Sequence, residues 1–171
     1  MSARPLFCLE TSVEAGEWGD KESFESLAAA ALRAAAMDLF VNEAQPFPDE
    51  PPEVSLVLAD DATMAAINAQ WRQQPKPTNV LSFPAFPLTP GKMPGPMLGD
   101  IILARETVER EARDLDKPVD EHLAHLIVHG FLHLFGYDHI RAEDAEKMEA
   151  METRILASLN LSDPYGDTEP V

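Results

Sequence analysis

The segment HLAHLIVHGFLHLFGYDH, residues 122–139, holds all five histidines of a 171-residue chain. His122, His125, His129 and His133 are spaced three, four and four apart. On a helix of about 3.6 residues per turn they form a single stripe. Gly136 follows closely, and glycine is the residue best able to take a left-handed conformation and end a helix. The chain can then turn and bring His139 back over the face that carries His129 and His133. Two imidazoles one helical turn apart can share an ion at about 2.0–2.1 Å, but i to i+8 spans roughly 12 Å, too far for the whole row. The spacing therefore selects His129, His133 and His139 as metal ligands. His125, one turn upstream with no glycine break to help it, is left outside the set.

The pattern H-x-x-x-H-x-x-G-x-x-H is the spacing of the metzincin metalloproteases, with one departure. The residue after the first histidine, where those enzymes place a glutamate base, is Gly130. The metal cage is retained and the protease base is absent. Three imidazoles suit zinc best and tolerate nickel or copper. They leave one coordination position open, as a catalytic site requires. A structural zinc, which usually closes with four protein ligands, is the alternative, and a row of core histidines is the remaining one. Asp138, beside His139, is either a carboxylate that orients an imidazole or a turn residue.

Around this segment the chain reads as one domain of alternating strands and helices, which predicts an α+β fold with a small mixed sheet of about four strands and about five helices. Strands are expected at Leu6–Thr11, Val54–Leu58, Asn79–Phe83 and Leu98–Leu103. Helices are expected over Lys21–Val41, from an Asp60 or Asp61 cap along a Met64, Ile67, Trp71 stripe, over Glu106–Leu115, from Pro118 to about Phe135, and over Glu143–Leu159. The prolines around Asn79–Phe83 place that strand at a sheet edge. There it would wall the metal cleft, with Thr78 and Ser82 offering hydroxyls and Val80, Leu81 and Phe83 buried. Leu88–Met97 is expected as a flexible Pro/Gly loop, Cys8 as a small buried hydrophobe, and residues 161–171 as a polar, flexible tail to a catalytic domain of residues 1–160. One cysteine permits no internal disulfide. No stretch reads as a secretory or membrane segment, so the expected location is the cytoplasm, without membrane association.

The formal net charge is −17, which argues against indiscriminate binding to nucleic acid. From Ala62 to Gly99 there is no Asp or Glu, while Arg72, Lys76 and Lys92 give that window +3 and leave −20 elsewhere. Such a window is compatible with a polyanion at one place, or with a loop region that simply lacks acidic residues.

HGFLHLFGYDH, preceded by WRQQPKPTNVLSFP and LGDIIL, closely resembles the bacterial YbeY family. The likeness is densest from Ile67 to about Leu159, reaches weakly to Asp163-Pro164-Tyr165, and is slight in the first fifty residues. It implies a zinc-dependent, single-strand-specific endoribonuclease of rRNA processing, acting at the 16S rRNA 3′ end and in ribosome quality control. It implies one Zn2+ held by His129, His133 and His139, with Arg72 in cleavage. RNA (an rRNA precursor, the ribosome) and assembly factors or ribosomal proteins are the implied partners. Arg72 suits the role, because a guanidinium fork matches phosphate oxygens and stays charged; Lys76 could add a phosphate contact. A non-enzymatic zinc-stabilised assembly factor and a metal-dependent hydrolase of another substrate are the alternatives, and Gly130 argues against a peptidase.

Overall fold

A computed structural model describes residues 5–16, 18–73 and 78–165. The chain runs β1 (Cys8–Val13), α1 (Lys21–Asn42), β2 (Glu53–Ala59), α2 (Asp61–Arg72), β3 (Val80–Pro84), β4 (Met97–Ala104), α3 (Arg105–Asp114), α4 (Val119–Leu134) and α5 (Ala142–Ser158). The four strands form one mixed sheet in the order β1-β2-β4-β3, with β3 antiparallel to β4 and the other pairs parallel. This is the expected α+β architecture.

Both faces of the sheet are covered, so the central strands are apolar on both sides. Val54, Leu56, Leu58, Ile101 and Leu103 join α1 and α4 in the main core. Ala59, Leu81, Ile102 and Ala104 join Met64 of α2 in a smaller core on the opposite face. Asp60 caps α2 by accepting from Thr63 N at 2.8 Å. Asp61, the other candidate cap, instead accepts from Thr107 Oγ1 at 2.7 Å and ties α2 to α3.

Several local expectations change. Cys8 is exposed, because β1 is an edge strand and alternation turns the thiol outward. Trp71, at the end of the Met64, Ile67, Trp71 stripe of α2, is 65% exposed. The Pro/Gly loop is anchored: buried Gln45 donates to Lys92 O at 2.7 Å and accepts from Gly91 N at 3.0 Å. The first residues of the expected tail are also held, since Thr153 Oγ1 donates to Asp163 Oδ1 at 3.0 Å and Tyr165 Oη donates to Glu152 at 3.1 Å. Pro118 precedes α4 rather than sitting within its first turn. Among the described residues no helix is long and apolar enough to cross a membrane.

Candidate metal centre

α4 presents the histidine stripe, and the turn after it supplies the last member. Phe135 closes the helix and Gly136 takes φ +97°. Gly136 N donates to His133 O at 3.0 Å and Tyr137 N to Leu132 O at 3.2 Å, the paired bonds of a Schellman turn. No side chain fits at this glycine, because a Cβ would lie 2.0 Å from Leu88 O. The chain reverses there, and the His139 ring comes to 5.3 Å from that of His129 and 5.2 Å from that of His133.

One nitrogen from each of His129, His133 and His139 lies within 4.8 Å of the others, and His129 Nε2 and His133 Nε2 are 3.0 Å apart. Tetrahedral zinc with nitrogen ligands at 2.0–2.1 Å needs ligand separations of about 3.4 Å. The donor set and its spacing fit one such ion. Burial, with His129 and His139 beside it, pushes the His133 imidazole down to about 4. It is therefore neutral near pH 7, the form that binds metals.

His125 lies outside this group, as the spacing required. Its Nε2 is 2.7 Å from Glu152 Oε1, and the same oxygen lies 3.3 Å from His129 Nδ1. Glu152 comes from α5 and is 1% exposed. Burial acts to raise its carboxyl, but the His125 and His129 hydrogen bonds and the charge of those imidazoles outweigh it and hold Glu152 down to about 2. By accepting a hydrogen bond from His129 Nδ1–H, this carboxylate favours the tautomer whose Nε2 lone pair faces the cage. Asp138 has the turn role: its Oδ1 accepts from Ile140 N at 3.2 Å. His122 is buried and pairs at 2.8 Å with Glu111 Oε1, which also accepts from Asn79 Nδ2 at 3.0 Å.

Sequence reasoning missed Glu152. The one available signal was its place among Met148, Met151, Ile155 and Leu156 on the buried stripe of α5, where a carboxylate needs a partner.

The cage opens on a cleft of about 510 Å³, walled by residues 78–84 on the other side. β3 is the sheet edge there, as its prolines predicted. Ser82 Oγ is used structurally, donating to Gly130 O at 3.0 Å. A Cβ on Gly130 would meet Ile101 Cγ2 at 2.9 Å and Ser82 Oγ at 3.0 Å. Position 130 therefore faces the sheet, with no room for a glutamate.

The open edge of β3 is short of donors. Ala85 N bonds Leu98 O and Ala104 N bonds Asn79 O, so in this register residues 79, 81, 83 and 85 turn their amides toward β4. Residues 80, 82 and 84 turn outward. Val80 N is taken by Asn79 Oδ1 at 2.7 Å, and Pro84 has no N–H. Among these three, Ser82 alone offers an outward amide.

Arg72 is the last residue of α2. Its side chain, and all of Lys76, lie outside the described residues.

Residues 12–160 match the family model described as Endoribonuclease YbeY. A relative from Sinorhizobium fredii named Endoribonuclease YbeY is 62% identical over 159 residues, covering 93% of this chain and 92% of the relative. One of the same name from Rhizobium meliloti is 60% identical, covering 95% and 96%. The solution structure of TM1509 from Thermotoga maritima aligns with a TM-score of 0.53 at 23% identity, over 94% of this chain and 98% of that one. That likeness speaks to the fold.

Proposed function

The chain belongs to the Endoribonuclease YbeY family, and on that premise we propose that it is a zinc-dependent endoribonuclease that cuts unpaired RNA. Its place is the maturation of the 16S rRNA 3′ end and ribosome quality control in the cytoplasm, with the ribosome and its assembly factors or proteins as partners. Residues 1–160 act as one catalytic domain.

The observation that carries this reading is the group of three imidazoles, with ligand atoms within 4.8 Å, set in a cleft along a sheet edge. His129, His133 and His139 hold the ion. A divalent cation held there would supply Lewis acidity for phosphodiester cleavage. Glu152 orients His129 through Nδ1. Arg72 is the residue we assign to the equatorial phosphate oxygens, where a guanidinium would meet the negative charge that grows during displacement.

Two features favour RNA over a peptide. The metzincin peptidases place their base at the position of Gly130, and here that position is closed by packing. A peptide substrate laid along an edge strand also needs a row of outward amides, and β3 offers one of three.

The test is metal content per chain in wild type and His139→Ala, with cleavage of a structured rRNA precursor fragment in the presence and absence of chelator. Wild type should hold one zinc, and His139→Ala should lose metal and cleavage together. A terminal cyclic phosphate in the products would identify the 2′-hydroxyl as nucleophile; its absence would point to water. Cleavage that ignores both variant and chelator refutes the proposal.

A further inference from the structure

Trp71 sits at the last turn of α2 with 65% of its surface exposed, whereas Trp18 is buried. Its ring packs against Phe83 of β3, with centroids 6.1 Å apart and planes inclined by 59°. Phe83 also lines the cleft that holds the metal cage. Alternation along β3 sends Ser82 toward α4 and Phe83 toward α2. The open edge of β3 therefore runs between the histidine cage on one face and the Trp71–Phe83 pair on the other. Phe83 lines the cleft with the histidines and carries the Trp71 ring, so it joins the two faces of that edge.

Charge indicates what the ligand is. Trp71 lies inside the Ala62–Gly99 window, which has no acidic residue and carries +3 in a chain whose remainder carries −20. The window is local in sequence, and in space exposed Asp100 stands opposite Phe83 across the β3–β4 pair; a flat apolar platform on a stretch that itself adds no acid suits a ligand that is both planar and anionic. Unpaired RNA has this chemistry, with exposed base faces on a phosphate backbone. A paired base has its faces covered by its neighbours.

We propose that Trp71, backed by Phe83, is a stacking platform for an unpaired nucleobase flanking the phosphate held at the metal cage. The proposal deepens the endoribonuclease reading of the cleft and rests on it. It supplies a physical source for single-strand preference in a protein whose bulk charge repels RNA.

The experiment is stopped-flow tryptophan fluorescence of the zinc-loaded full chain mixed with an unpaired oligoribonucleotide, with a duplex of the same sequence, and with inorganic polyphosphate. Trp71→Phe serves as the blank that retains only the buried Trp18 signal. The unpaired strand should quench Trp71, and the duplex and polyphosphate should not. Trp71→Ala should weaken binding and raise KM by about tenfold, the order of one lost base–aromatic stack. Zinc content and kcat should hold, and Trp71→Phe should recover most of the affinity. RNA binding seen by anisotropy without Trp71 quenching overturns the proposal, as does unchanged affinity in Trp71→Ala. Quenching by an apolar peptide but not by RNA also overturns it and marks a protein-docking site. If RNA quenches Trp71 and is never cut, the platform stands and the endoribonuclease reading falls. If RNA is cut and Trp71→Ala is indifferent, the reverse holds.

Discussion

Gly136→Ala should damage the fold and the candidate metal site together. At φ +97° an alanine carries backbone strain of about 1–3 kcal/mol. Its Cβ would stand 2.0 Å from Leu88 O, about 1.4 Å short of ordinary contact near 3.4 Å. Closing that gap requires the backbone at Leu88 to retreat or the turn to open, at a cost of about 1–3 kcal/mol by comparison with overpacked cores. The sum is roughly 2–6 kcal/mol, which in a chain of this size lowers Tm by about 4–24 °C. Opening the turn also moves His139, so one of three ligands leaves the group. Thermal unfolding by circular dichroism and chelator competition for zinc measure the two effects separately. Gly136→Asn sharpens the test, since asparagine tolerates positive φ but still adds a Cβ. If backbone strain alone mattered, Asn would restore most of the loss; because the Leu88 carbonyl also blocks the site, Asn should restore little. A Gly136→Ala chain with Tm within about 2 °C of wild type and unchanged zinc affinity would refute the reasoning.

Glu152→Gln removes the carboxylate that accepts hydrogen bonds from His129 and His125, and zinc affinity by competition should fall about 10–100-fold. Equal affinity in the variant would show that His129 is oriented without it. Gly130→Ala places a methyl 2.9 Å from Ile101 Cγ2, and chemical denaturation should report a loss of about 1–3 kcal/mol; a neutral result would mean that α4 can lift from the sheet. Burial acts to raise the Glu111 carboxyl, but the bonds from His122 and Asn79 outweigh it and hold it below its ordinary value. The stability it contributes is therefore present above the usual carboxylate range and is lost as pH falls through the lowered value. Glu111→Gln should flatten that acid limb in denaturation measured from neutral pH downward, and an unchanged slope would remove Glu111 from the account.

The cage was legible in the sequence because its geometry is local. Helical rise and turn place His129 and His133 on one face, and a glycine that must reverse the chain returns His139; no distant residue is needed. The same holds for the edge position of β3, since prolines flanking a short apolar run exclude a central strand. What the sequence could not specify depends on residues far apart in the chain meeting in space. Glu152 reaches His129 only because α5 packs on α4; its place on the buried stripe of α5 says that it needs a partner but not which one. Gly130 reads as a missing base until Ile101 and Ser82 are seen beneath it. Gln45 pins a loop forty-six residues away, so a Pro/Gly stretch that predicts mobility is tied down. Cys8 turned outward and Trp71 was left exposed for a related reason. Hydrophobicity states what a side chain prefers, but only the packing of the neighbouring strands and helices decides which faces are covered. Spacing along one helix and the glycine turn after it determined which histidines could share an ion, and the tertiary structure decided what orients them and which sheet edge borders their cleft.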